Sequence, residues 1–209
     1  MIDKNIKEAN KRKMDYIIKN LEKRGMEGTY CETAEEASKV ILSMVGETDV
    51  VSWGGSATLD QIGIKGQLSN VIDATKAPPE KAYEERCKTL TADVYLTSTN
   101  AITMEGELVN IDGTGNRVSA MCFGPKKVII VAGANKITAD EASALARIKT
   151  EACPSNCIRL GKTTPCAVTG KCGNCLTQGQ TICAYTVTTR FSSIPGRIQV
   201  ILVNENLGF

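Results

Sequence analysis

The segment KKVIIVAG, residues 126–133, decides how this chain folds. A strand with one wet face alternates apolar and polar residues. Here the apolar run is nearly continuous, the pattern of a central strand in a parallel sheet. Downstream, TADEASALARIKTEA (138–152) reads as a helix with Asp140 and Glu141 in its first turn, where the helix dipole favours acids. Upstream, DVYLTST (93–99) is a strand, MEG (104–106) a turn, ELVNI (107–111) a strand and GTGNRVSAMCF (113–123) a loop entering a helix. Further back, strands MEGTYCE (26–32), DVVSW (49–53) and NVIDA (70–74) alternate with helical segments 34–45, 57–63 and 80–90. Thr33 and Glu36 form a capping box, and Pro78 and Pro79 open the last of these helices. Met14, Ile17, Ile18 and Leu21 give an opening helix one apolar face, with Gly25 as its stop. This alternation predicts an α/β domain with a parallel or mixed sheet and helices on both faces.

After residue 160 the texture changes. Cysteine, threonine and glycine crowd a stretch without periodicity, read as a cysteine-rich insertion over 161–183 on a domain made of 1–160 and 184–209. YTVTTR (185–190) and RIQVILVNENLGF (197–209) resume strand character, and the second is expected to return to the sheet.

The composition is that of an ordinary soluble domain: 209 residues, 42% hydrophobic, 23% charged, net charge +2. That balance gives no reason to expect nucleic acid as a partner, and the basic opening helix reads as a solvated face. No apolar run reaches the ~18–20 residues of a membrane span. The N-terminus lacks the apolar block of a signal peptide, so a cytoplasmic location is expected. Histidine is absent, which excludes a histidine-based triad and any imidazole ligand to zinc.

Two loops suit an anion. Gly54, Gly55 and Ser56 follow a strand and precede a helix, with Thr58 just inside it. Glycines let backbone N–H groups approach a ligand, and the helix start adds partial positive charge. The plain alternative is a tight turn capped by Ser56. The second loop gathers Asn100, Asn110, Asp112, Gly113, Thr114, Gly115, Asn116 and Arg117. Arg117 is suited to clamp a carboxylate or phosphate, and Asp112 to accept from hydroxyls or to serve as a base. The plain alternative is a network that fixes the backbone, with Arg117 paired to Asp112.

Nine cysteines in a chain expected to stay in the cytosol read as thiols or metal ligands rather than disulfides. Cys166, Cys172, Cys175 and Cys183 fall within twenty residues and supply four thiolates, the number a closed site needs. Their spacing matches neither a zinc ribbon nor a bacterial ferredoxin, so zinc, an iron–sulfur cluster and a Cys172/Cys175 dithiol all remain open. Ordering about twenty residues costs ~20 kcal/mol or more. The insertion therefore needs docking against the domain or cross-linking by a metal, or it stays mobile. Cys153 and Cys157 lie one helical turn apart and read as helix-packing thiols or alternative ligands; Cys31, Cys87 and Cys122 read as core or near-core.

SWGGSATLDQIG (52–63), ADVYLTSTNAITMEGELVNIDGTGNRVSAM (92–121), GPKKVIIVAGANKI (124–137) and TPCAVTGKCGNC (164–175) together resemble the LUD-domain proteins, named for lactate utilisation. The likeness runs from the first helix to VILVNENLGF (200–209). It implies a three-layer α/β/α Rossmann-like domain related to the sugar-phosphate isomerase and CoA-transferase-like superfamily. It further implies a place beside other iron–sulfur subunits in a system that oxidises L-lactate, and it favours a [4Fe–4S] cluster at the four cysteines over zinc. The relatives seat anionic small molecules at loops like 54–56 and 112–117. Asp112 is the candidate catalytic residue; CoA transferases use a glutamate nucleophile, but Glu105 and Glu107 flank a turn, and nothing in the sequence turns either toward the pocket. Three functions are expected to compete: a subunit of a lactate-oxidising system, a metabolite-binding module with structural zinc, and a CoA or sugar-phosphate enzyme.

Overall fold

The computed structural model describes residues 3–209. Six strands, β1 (Glu27–Cys31), β2 (Val51–Trp53), β3 (Val71–Asp73), β4 (Val94–Ser98), β7 (Lys127–Gly133) and β10 (Ile198–Val203), form the main sheet. Their order is β1-β10-β7-β4-β2-β3, and every pairing is parallel. KKVIIVAG is therefore central, and the strand near the C-terminus inserts between β1 and β7, as its apolar character predicts.

The two parities of β7 and β10 serve two cores. Val128, Ile130, Val200 and Leu202 pack with Met14, Ile17 and Leu21 of helix α1 (Lys4–Lys23). Ile129, Val131, Ile201 and Val203 pack with Ile41 of α2 (Ala34–Met44) and Leu59 of α3 (Ala57–Gln61). Both faces are thus apolar because helices cover both, which makes the fold a three-layer α/β/α sandwich. α4 (Ala82–Thr89) and α5 (Asn116–Cys122) complete the helices before β7.

A second sheet sits beside the first. It contains β5 (Ala101–Thr103), β6 (Leu108–Asp112), β8 (Ile137–Thr138) and β9 (Tyr185–Thr189), in the order β8-β5-β6-β9. The sequence reading makes ELVNI a strand after the turn MEG without assigning it a sheet; the turn at Gly106 (φ +85°) folds β5 and β6 into an antiparallel hairpin apart from the main sheet. β9, directly after the cysteine-rich stretch, then pairs antiparallel with β6. One face of this sheet, Ala101, Val109 and Ile111, packs on Ala144, Ile148 and Ala152.

Those three residues belong to a helical run from α6 (Glu141–Arg147) through a π-turn (Ile148–Ala152) to α7 (Cys153–Arg159). Pro154 explains the widened turn. It has no N–H to return to residue 150, and its ring crowds that carbonyl. The Cys153 N–H reaches Ile148 instead, a five-residue step. α8 (Pro165–Thr169) is the regular element of the cysteine-rich stretch.

Candidate anion-binding cleft

A cleft of about 580 Å3 opens at the carboxyl ends of β2 and β4, between the two sheets and α7. This is where ligands of open α/β sheets bind. Gly55, Ser56 and Thr58 line it from one side; Asn100, Asp112, Gly113, Thr114, Asn116 and Arg117 line it from the other. The fold thus brings both sequence-selected loops to one place.

Three selected positions lie behind the wall. Asn110 is fully buried. Gly54 leaves room for Tyr95, whose hydroxyl would stand 3.0 Å from a Cβ placed there. Gly115 donates its N–H to Asp112 Oδ1 at 2.8 Å. Glu105 and Glu107 are remote from the cleft: Tyr16 donates to Glu105, and Arg24 pairs with Glu107.

Arg117 is occupied by the protein itself. Nη1 donates to Asn110 Oδ1 (2.6 Å) and Ser98 O (3.1 Å), and Nη2 to Asn100 Oδ1 (3.0 Å) and Ile111 O (3.0 Å). Nε faces Asp112 Oδ2 at 3.4 Å. The backbone-fixing alternative describes this geometry: the guanidinium ties β4, β5 and β6 together. Asn100 and Asn110 reinforce it by exchanging bonds across the hairpin, Ile111 N to Asn100 Oδ1 and Asn100 N to Asn110 Oδ1. Asp112 Oδ1 accepts from Thr114 N and Gly115 N, and so shapes the loop. Ser56 caps α3 by accepting from Leu59 N.

Lys136 supplies what Arg117 does not. It is 3% exposed, lines the cleft, and donates Nζ to Thr58 Oγ1 (2.9 Å) and Ser98 Oγ (2.8 Å). None of the salt bridges among the described residues involves it. Burial, helped by the positive charges of Arg147 and Arg117, pulls its ammonium down to about 7. The sequence reading passes it over: Lys136 stands three residues after Gly133, where β7 ends, and nothing in the pattern there separates a buried lysine from an exposed one.

The charges around the cleft are unbalanced. Arg86, Arg117, Lys136, Arg159 and Lys162 line it, against one acidic side chain, Asp112. Arg159, held by Asn156 Oδ1, reaches over Gly55. Such a cleft favours anions.

The cysteines are arranged differently from the sequence-selected set. Cys166 Sγ lies 3.7 Å from Cys157 Sγ, and Cys183 Sγ lies 3.4 Å from Cys153 Sγ. Cys175 accepts from Thr181 Oγ1 at 3.5 Å. Among the described residues, no three Cys, Asp or Glu side chains converge on one ion. The sulfur contacts thus join Cys166 and Cys183 to Cys157 and Cys153 of α7 rather than to Cys172 and Cys175. Cys31 is buried as expected. Cys87 and Cys122 are not core residues: both are exposed, on helix faces turned to solvent.

A family model described as LUD domain matches residues 14–203. Among solved structures, the chain is similar to a DUF162 family protein from Deinococcus radiodurans. The two are 14% identical, with 93% of this chain and 98% of that one covered and a TM-score of 0.54, a likeness of fold. A weaker match is eIF2B delta from Chaetomium thermophilum, 18% identical over 52% of this chain and 49% of that one, with a TM-score of 0.32. None of the curated proteins matches the chain.

Proposed function

The chain belongs to the LUD domain family, and from that premise we propose that it binds an organic anion for lactate utilisation, seating the carboxylate of a 2-hydroxy or 2-keto acid over Lys136. The observation that supports this reading is the imbalance of five basic side chains and one acidic side chain around a cleft at the strand ends, with no salt bridge to the buried ammonium among the described residues. A buried cation without a counter-charge is costly, and a ligand carboxylate would offset that cost. Thr58 and Ser98 would orient the amine, and Arg117 would hold the loops without touching the ligand. The anion site is independent of where the iron–sulfur centres of such a system sit, on the cysteines of this chain or on partner subunits.

A second reading draws on size. A cleft of about 580 Å3 exceeds what a three-carbon acid fills, and Arg159 and Lys162 place further charge at its edge. A phosphorylated ligand, a CoA ester or a sugar phosphate, would use that space. Calorimetric titration with L-lactate, pyruvate, a sugar phosphate and a CoA ester separates the two. The first reading expects pyruvate or lactate to bind and Lys136→Met to weaken it tenfold or more. Binding by phosphorylated ligands alone, lost in Arg159→Ala, would replace it with the second; no binding by any of the four would end both.

A further inference from the structure

The fold brings together two pairs of thiols that lie far apart in sequence, and neither pair is the CxxC motif. Cys153 and Cys157 are one turn apart at the start of α7, and each faces a sulfur from the cysteine-rich stretch: Cys183 at 3.4 Å and Cys166 at 3.7 Å. The pairs differ in access. Cys157 and Cys166 are both buried, whereas Cys183 is exposed. We propose that Cys153 and Cys183 form a reversible redox pair beside the cleft, oxidised by low-molecular-weight disulfides, with Cys183 as the attacking thiol.

Position supports the assignment of roles. Cys183 is exposed, while Cys153 is buried and lines the cleft, its sulfur within reach of a group attached to Cys183. In the first step the Cys183 thiolate attacks a disulfide RSSR, forming a mixed Cys183–S–S–R bond and releasing RS−. In the second, Cys153 gives up its proton and attacks the Cys183 sulfur, expelling the second RS−. The two protein thiols lose two electrons and two protons, and RSSR becomes two RSH. A disulfide needs sulfurs ~2.05 Å apart. From 3.4 Å the pair closes by side-chain rotation and a small movement of the loop that carries Cys183.

The consequence falls on the cleft. Cys153, Thr181 and Ile182 all line it, and Ile182 lies against Gly113, where a Cβ would come within 3.2 Å of its Cα. A Cys153–Cys183 bond would fix α7 to this wall. The effect on ligand affinity rests on the anion-binding reading; formation of the bond does not.

The test is peptide mapping of the full chain after incubation with oxidised glutathione. The expected product links the peptides of Cys153 and Cys183 with the loss of two hydrogens, while Cys157 and Cys166 remain thiols. Cys153→Ser should instead accumulate glutathione on Cys183, and Cys183→Ser should leave Cys153 unmodified. Cys183 joined to Cys172 or Cys175, or left unmodified while exposed Cys87 and Cys122 react, would overturn the proposal. So would co-purified zinc or iron that shields Cys183 from alkylation. If the bond forms but anion titrations of oxidised and reduced protein coincide, the redox pair stands and its coupling to the cleft falls.

Discussion

Lys136 and Arg117 show how two cations in one cleft take different roles. Arg117 has a protein acceptor for each of its donors, so it acts as a fastener. Arg117→Met should leave Asp112, Asn100 and Asn110 without their partner and cost about 3–5 kcal/mol. Urea unfolding checks this, and a loss below about 1 kcal/mol would mean that the network is dispensable. Lys136 should behave oppositely. Below pH 7 it is charged in the folded and unfolded states, and folding carries the full cost of burying the charge. Between about 7 and 10.5 the folded chain has released a proton that the unfolded chain still holds, so this residue makes stability rise with pH. Lys136→Met should remove that part of the slope in urea titrations at about pH 6 and about pH 9. Anion affinity should run the other way, falling up to about tenfold per unit above the pKa, because the neutral amine must take up a proton to bind. Titration in buffers of different ionisation enthalpy would show that uptake. Arg117 was legible in the sequence because arginine beside Asn and Gly in a loop is conspicuous. Lys136 was not, since a buried lysine and a surface lysine look alike until the packing around them is known.

At the scale of elements, the strands and helices of the α/β run were legible from periodicity, and β7 most of all. The small sheet was not. Whether a short apolar strand joins the main sheet or folds back depends on the chain's direction after a turn, here set by Gly106 and locked by the Asn100–Asn110 exchange. The cysteine pairs were illegible for a related reason. Spacing reports neighbours along the chain, whereas the contacts run between α7 and a segment up to thirty residues later. The helical wall that carries Cys153 begins with a capping box, Asp140 accepting from Ser143 N at 2.8 Å. Asp140→Ala should cost about 1 kcal/mol. A shift in the urea midpoint at unchanged slope is the expected result.

The whole molecule closes around its C-terminal segment. Gly133, at the end of β7, has no room for a side chain: a Cβ would stand 2.6 Å from Glu205 O and from Leu207 N. Beyond it, Gly208 packs on Thr58 and Lys136, and Leu207 N donates to Asn135 Oδ1. Because the clashing atoms are backbone, Gly133→Ala should displace the segment over Lys136. It should lower thermal stability by several degrees, a loss of ~2 kcal/mol or more, and weaken anion binding together with it. Loss of stability with intact binding would show that the segment does not support the ammonium.

The place of β10 also bears on how a ribosome makes this protein. β1 pairs only with β10, and α1 packs on a core that includes Val200 and Leu202. Throughout translation of the intervening chain, the opening helix and its strand lack these partners. Their apolar faces stay open until residues 198–203 leave the exit tunnel. A nascent chain halted before that point should recruit trigger-factor-like holdases and be cut readily by protease within the first thirty residues, whereas one released past residue 203 should resist both.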